Sequence, residues 1–307
     1  MIHKFIRYVL IWILLVFSIY AETYNAILFS WDGAGRERVE ELLTNEKLPT
    51  VKLLKEQGAF VKIKVEGHPT TTAPGHAEML TGLPSNITKV KSNERWEPIP
   101  EGLTIFERLE NYFGKDNIVT VAIMGKSGYL GAKGPEELKD TKYPKYLKKG
   151  EPYFNAKKHL DVWDGDMIRD AVTVAEKAIV YIEKYKENRF FIFCHFSDPD
   201  STGHNYGENS EEYKESIIRC DSLVGKVIWK LNELKIYDKT FIYITADHGF
   251  NKDTNNHPNA PDVFLVTNDK EVKRDGTQAD ITPTILKRFK VDLSKLTPTL
   301  PGKALQE

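Results

Sequence analysis

The stretch "RFFIFCHFSDPDSTGH" (189–204) runs from continuous apolar residues straight into acid and imidazole. Its first half is β-branched or aromatic with no polar alternation, the composition of a strand buried on both faces. Its second half carries Asp198, Asp200 and His204 within seven residues and shows no helical or strand-like hydrophobic repeat, so it is expected as a loop. Buried charge is costly unless it is paired or bound to metal. An acidic cluster at the end of a hydrophobic strand therefore points to a cation site.

Similar runs recur along the chain: "YNAILFSW" (24–31), "AFVKIKV" (59–65), "NIVTVAIM" (117–124), "KTFIYITA" (239–246) and "DVFLVT" (262–267). Helical patterns lie between them. Ile168, Ala171, Val172, Ala175, Ile179 and Ile182 recur at helical spacing, and so do Tyr213, Ile217, Val224, Val227 and Leu231 after a capping Ser210. Strands alternating with helices predict an α/β fold, a three-layer sandwich with a mainly parallel central sheet. Residues 131–160, rich in lysine, glycine and proline, are expected to make a surface excursion, a lid or flap.

The start, "MIHKFIRYVLIWILLVFSIYA", has a positive head, an apolar run from Tyr8 to Phe17 and a small residue at Ala21. It reads as a signal peptide over 1–21, with an uncleaved anchor as the alternative. The apolar run is short for a membrane span, which needs about 20 residues. The expected location is secreted or periplasmic, with 22–307 forming one domain. With 43 basic and 44 acidic residues the net charge is −1, which gives no nucleic-acid surface. Two cysteines make no disulfide framework; Cys194 reads as a core residue, and its pairing with Cys220 is left open.

In an open α/β sheet, ligands bind at the carboxyl ends of strands. Four strands end there in polar clusters. "ILFSWDG" delivers Asp32. "FVKIKVEGHPTTTAPGH" delivers a threonine run and a helix start. The opening stretch delivers Asp198, Asp200 and His204, and "FIYITADHGF" delivers Asp247 and His248, with His257 following in "NNHPNAP". Singly, each is a turn or a cap. Jointly, oxygen and nitrogen donors without thiolates suit zinc, with manganese or magnesium as alternatives. Their number is enough for two ions, the arrangement that clamps attacking and leaving oxygens at phosphorus.

The ordered set "SWDG … PTTTAPGH … TGLP … DPDSTGH … TADHGF … H" resembles the alkaline phosphatase superfamily, and within it the type I phosphodiesterase/nucleotide pyrophosphatase family. "DITPTIL" (280–286) and "PGKAL" (301–305) are similar too, so the likeness runs from about Asn25 to the end. The resemblance implies Thr72 as nucleophile, one divalent cation on Asp32, Thr72, Asp247 and His248, and a second on Asp200, His204 and a later histidine. His257 fits that place, with His195 the alternative. It implies a structural role for His76 and a supporting or capping role for Asp198. In the family a His-Gly stretch follows the "TG"; here "TGLPSNITKVKSNE" has none, and Asn93 takes the place of the asparagine that binds the transferred group. The implied activity is hydrolysis of a small phosphate ester, a diester first. A phosphomonoesterase, phosphonate hydrolase or phosphoryl transferase of the same superfamily is the alternative, and a non-catalytic metal-binding relative stands behind those. A sulfatase would need Cys or Ser with Pro and Arg at the nucleophile, which "TTTAPGH" lacks.

Overall fold

The computed structural model describes residues 24–135, 149–165, 167, 169–260 and 262–307. The leader at 1–21 and the middle of the lysine-rich excursion lie outside the described residues. The strands are β1 (Asn25–Trp31), β2 (Ala59–Lys64), β3 (Val90–Ser92), β4 (Arg95–Trp96), β5 (Val119–Ile123), β6 (Val162–Asp164), β7 (Phe190–Phe196), β8 (Thr240–Thr245), β9 (Val263–Thr267) and β10 (Gly276–Thr277). The helices are α1 (Arg36–Thr44), α2 (Pro49–Gln57), α3 (Thr72–Thr81), α4 (Ser85–Thr88), α5 (Ile105–Phe113), α6 (Ala171–Tyr185), α7 (Asp198–Tyr206), α8 (Glu211–Glu233) and α9 (Ile281–Arg288).

Eight strands form one sheet in the order β10-β2-β9-β8-β1-β7-β5-β6, and β3 pairs with β4 in a separate hairpin. β1 lies at the centre, parallel to both β7 and β8, and every residue of β1 and β7 is buried. Such strands must be apolar on both faces, which is why their sequences do not alternate. One group of helices, α1, α2, α6, α7 and α8, packs together, and a second group joins α3, α4, α5 and α9, giving the helical layers that cover the sheet. Ring contacts tie the second group down: Phe106 of α5 lies 5.3 Å from Phe191, and His76 of α3 lies 6.0 Å from Phe193. Fully burying a phenylalanine side chain of this kind is worth roughly 1.5–3 kcal/mol.

β9 departs from the parallel pattern, running antiparallel to both β8 and β2. β8 therefore leaves the sheet at the same edge where β9 enters it. The loop between them stays at that edge, and it carries Asp247, His248 and His257.

Three local expectations are corrected. "DPDSTGHNY", read as a loop, is the helix α7. Its polarity hides it from a hydrophobic-repeat reading, but Pro199 fits the first turn, two acids sit at its positive end, and the Thr202 hydroxyl bonds back to Asp198 O at 2.8 Å. Next, α6 begins at Ala171, where the Asp170 side chain accepts from Thr173 N–H at 2.9 Å. Last, the described flanks of the excursion are not a surface flap: Tyr153, Ala156 and Leu160 are buried, and Tyr153 packs on Trp163 at 5.9 Å. Both cysteines are free.

Candidate active site

Five strands direct their following residues to one sheet edge. Asp32 follows β1, the 68–72 segment follows β2, Lys126 follows β5, Asp200 follows β7, and Asp247 and His248 follow β8. Two glycines let these loops close on one another. Gly33 has φ +76°, and a Cβ there would meet Asp200 Cα at 2.9 Å. A Cβ on Gly75 would meet Asp247 O at 2.8 Å, so the first turn of α3 lies directly on the Asp247 backbone.

Asp32, Asp200, Asp247 and His248 are all buried. His248 Nδ1 donates to Gly249 O at 3.0 Å, which leaves Nε2 with its lone pair directed inward. That nitrogen lies 3.5 Å from Asp32 Oδ1, 3.4 Å from Asp247 Oδ2 and 3.9 Å from Asp200 Oδ1. None of these four buried atoms has a hydrogen-bond partner. Leaving one such group unmade costs about 1–3 kcal/mol, so four converging on one point amount to a cavity shaped for a cation.

Beside it stand Asp200, His204 and His257, whose ligand atoms lie within 4.8 Å of one another. His204 Nδ1 donates to Asn255 O at 2.8 Å, and His257 Nδ1 donates to Thr70 O at 2.5 Å. In the neutral rings both Nε2 atoms carry lone pairs, yet they face each other at 3.1 Å. Two lone pairs at that distance repel unless a proton or a metal lies between them. Asp200 Oδ1, 3.3 Å from His204 Nε2 and 3.9 Å from His257 Nε2, belongs to both donor groups. Asp200 and His204 are one helical turn apart on α7, which explains their four-residue spacing. The donor set fits divalent cations, and nitrogen with carboxylate oxygen suits zinc.

Lys126, not assigned from sequence, and His195, the alternative third ligand, complete the electrostatics. Lys126 Nζ contacts Asp32 Oδ2 at 2.6 Å and Asp200 Oδ2 at 2.5 Å. It takes one oxygen of each carboxylate and leaves the other, Oδ1, facing the His248 nitrogen. His195 Nδ1 accepts from Gly125 N–H at 3.1 Å, so its proton sits on Nε2, which donates to Asp32 Oδ2 at 2.9 Å. Neither His195 nitrogen is free to ligate, so His195 is a holder of Asp32. Burial pushes the Asp32 carboxyl up, but Lys126, His195 and His248 outweigh it and hold the group well below the usual range. Asp247 goes the other way: burial, then the Asp32 charge, raise it well above that range. Burial brings His248 down to about 4.

Thr72 is the first residue of α3 and is buried. His76 Nδ1 donates to Thr72 O at 2.8 Å, and its Nε2 accepts from Ser30 Oγ at 2.8 Å, so His76 braces the helix start. Burial holds it at about 3, neutral. Asp198 caps elsewhere, its Oδ2 accepting from Ala171 N–H at 2.8 Å. Asn93, in the β3–β4 turn, accepts from Ala73 N–H at 2.8 Å through Oδ1. The backbone N–H next after Thr72 is thus bonded to Asn93, the side chain expected to bind the transferred group. This contact fixes the amide orientation and leaves Asn93 Nδ2 as the remaining donor.

The family profile described as Type I phosphodiesterase / nucleotide pyrophosphatase matches residues 26–297. The chain belongs to that family. This family is a branch of the alkaline phosphatase superfamily. GPI ethanolamine phosphate transferase 1 of Emericella nidulans is 25% identical over 244 residues, covering 75% of this chain and 25% of the relative. Human ectonucleotide pyrophosphatase/phosphodiesterase family member 1 is 26% identical over 239 residues, covering 74% and 24%. The chain thus spans about a quarter of the length of these curated relatives. Solved structures share the fold: a putative sulfatase from Bacteroides thetaiotaomicron (TM-score 0.68, 13% identity, 93% of this chain and 74% of that one). A phosphonate monoester hydrolase from Silicibacter pomeroyi gives 0.59 at 14% identity, covering 92% and 76%. No helix among the described residues is long and apolar enough to cross a membrane.

Proposed function

We propose that this chain is a metal-dependent phosphodiesterase with Thr72 as nucleophile, acting on a small phosphodiester or pyrophosphate bond. The observation that carries it is the set of four buried, unpartnered donor atoms of Asp32, Asp200, Asp247 and His248 beside the start of the Thr72 helix. Cations on the Asp32/Asp247/His248/Thr72 and Asp200/His204/His257 groups, zinc before manganese or magnesium, would supply Lewis acidity that favours the Thr72 alkoxide and the departing oxygen. Thr72 Oγ1 bonds to phosphorus as the ester oxygen leaves with its electron pair, giving a phosphothreonine. Asn93 Nδ2 donates to a phosphoryl oxygen. Water then attacks phosphorus and the Thr72 oxygen leaves, restoring the hydroxyl.

A second reading has its own support in the transferase relatives: an alcohol instead of water takes the phosphoryl group. A screen of chromogenic phosphodiester, monoester, phosphonate and sulfate substrates, with and without an added alcohol, tests both. Diesters are expected to lead in kcat/KM. A preference for monoesters overturns the diester assignment, and product carrying the added alcohol shifts the reading to transfer. The N-terminal sequence further suggests that the protein works outside the cytoplasm.

Lys126 aims both Oδ1 atoms by holding both Oδ2 atoms. Lys126→Met is expected to lower metal affinity or kcat/KM by about 10–100-fold, the usual range for a residue that orients a ligand. Competition with a chromogenic chelator measures the affinity directly. Unchanged affinity and rate would remove Lys126 from the site's machinery.

A further inference from the structure

His68 lies on the segment that leads from β2 to Thr72, and its side chain is 1% exposed. Both ring nitrogens must therefore find partners inside the protein. Nδ1 lies 2.7 Å from Pro69 O, and a carbonyl oxygen only accepts, so Nδ1 bears a hydrogen. Nε2 lies 2.9 Å from Gln278 Oε1. Turning the Gln278 amide end for end is excluded by its other contacts. Its nitrogen donates to Ala246 O at 3.1 Å and Asp247 O at 2.6 Å, and the reversed amide would set oxygen against two carbonyls. So Oε1 faces His68, and Nε2 bears a hydrogen too. A ring with hydrogen on both nitrogens is the imidazolium.

Its counter-charge is in place. Glu78 Oε2 of α3 is buried, makes no hydrogen bond, and lies 3.1 Å from His68 Nε2 as an ion-pair contact. Burial alone would push the His68 pKa down. The Glu78 carboxylate beside the ring, with the Pro69 and Gln278 acceptors, outweighs it and holds the ring above its ordinary value. The cavity beyond Glu78 is lined by Glu66, Arg274, Asp280 and Lys303 among others, and there Arg274 is paired with Asp280 at 3.2 Å. Glu78 is the carboxylate in contact with the ring.

We propose that His68 is a positioning residue: a buried imidazolium that ties the nucleophile segment to α3 through Glu78 and to the Asp247 end of β8 through Gln278. The same segment also fixes a second part of the site. Thr70 O accepts from His257 Nδ1, and the Thr70 hydroxyl donates to His257 O. One short stretch thus places both Thr72 and His257, and the charge at its root anchors it. The catalytic consequence rests on Thr72 being the nucleophile; the charge of the ring does not.

The folded value is raised, so the pair's contribution to stability is complete below the unfolded value of about 6.5 and is lost as pH rises through the folded one. The test uses the full chain with ¹⁵N-labelled histidine, with His68→Gln assigning the signal. At a pH near 6.5, where an ordinary ring is half protonated, both His68 nitrogens are expected to carry hydrogen in more than half of the molecules. Glu78→Gln is expected to make the ring lose its proton at lower pH. With a phosphodiester, His68→Gln should reduce kcat roughly tenfold through a small displacement of the reacting hydroxyl. KM and bound metal should stay near wild type; wild-type kcat is expected to fall as pH rises through the His68 value, and His68→Gln should lack that fall. A singly protonated ring in the native protein at that pH, or no response to Glu78→Gln, overturns the charge assignment. An unchanged kcat in His68→Gln overturns the positioning role. Absence of diester cleavage in the wild type would defeat the proposed function and leave the ring spectrum to decide the charge on its own.

Discussion

Thr72→Ala is expected to cut turnover of a phosphodiester by on the order of 10³-fold or more while leaving fold and metal content nearly intact. The size of the effect follows from chemistry, since alanine has no hydroxyl with which to form the covalent intermediate. The small structural cost follows from the contacts. Among the described residues the Thr72 hydroxyl has no hydrogen-bond partner, and the partner of its backbone oxygen, His76 Nδ1, is untouched by the substitution. The packing of α3 on the Asp247 backbone depends on Gly75, not on the threonine side chain. Stability should therefore shift by no more than about 1 kcal/mol. Neighbouring threonines are controls. The Thr71 hydroxyl is buried without a partner, so Thr71→Ala should be close to silent. Thr70→Ala loses the hydroxyl bond to His257 O and should show an intermediate effect. Rapid quenching followed by mass spectrometry of the peptide containing residues 70–76 reads the intermediate directly. Phosphate on Thr71, or an inactive Thr71→Ala beside an active Thr72→Ala, would move the nucleophile by one residue.

What could be read in advance divides along physical lines. Strands such as 190–196 and 240–245 were legible because double burial demands an unbroken apolar run, and a run of that kind survives any tertiary context. The donors were legible because each follows such a strand. α7 was not, since a nine-residue helix at a charged site has no apolar stripe to repeat; its Asp200–His204 spacing is the one trace of the helical turn. The reversal of β9 was not legible either, because direction leaves no mark on composition. It is nevertheless what keeps His257 at the site edge. Lys126 gave no signal at all. "MGKSG" reads as a turn, and a lysine acquires meaning only when two carboxylates from distant strands close on it. His195 was visible only as an alternative ligand of the second cation, and its holding role became readable from which of its nitrogens Gly125 occupies.

Asp200→Asn should cost both cations, whereas His257→Ala should cost one. Asp200 Oδ1 belongs to both donor groups, so the outcome depends on which end of the new amide replaces it. Lys126 decides this. Its ammonium can only donate, and it lies 2.5 Å from Asp200 Oδ2, so the amide oxygen must turn to Lys126. The amide nitrogen then falls where Oδ1 was, pointing N–H groups at the region shared by His204, His248 and His257. A donor there cannot ligate a cation, and it is positioned to bond the imidazole lone pairs that would otherwise do so. His257→Ala removes one ligand from the Asp200/His204 group and frees Thr70 O, but leaves the Asp32, Asp247 and His248 atoms as they are. Elemental analysis after stripping, reloading with zinc and desalting should therefore return close to no bound metal for Asp200→Asn and about half the wild-type content for His257→Ala. Diester cleavage should fall on the order of 10³-fold or more in the first and steeply in the second. Full metal content in Asp200→Asn would mean that the carboxylate is not shared, and the paired-cation account of the site would fall with it.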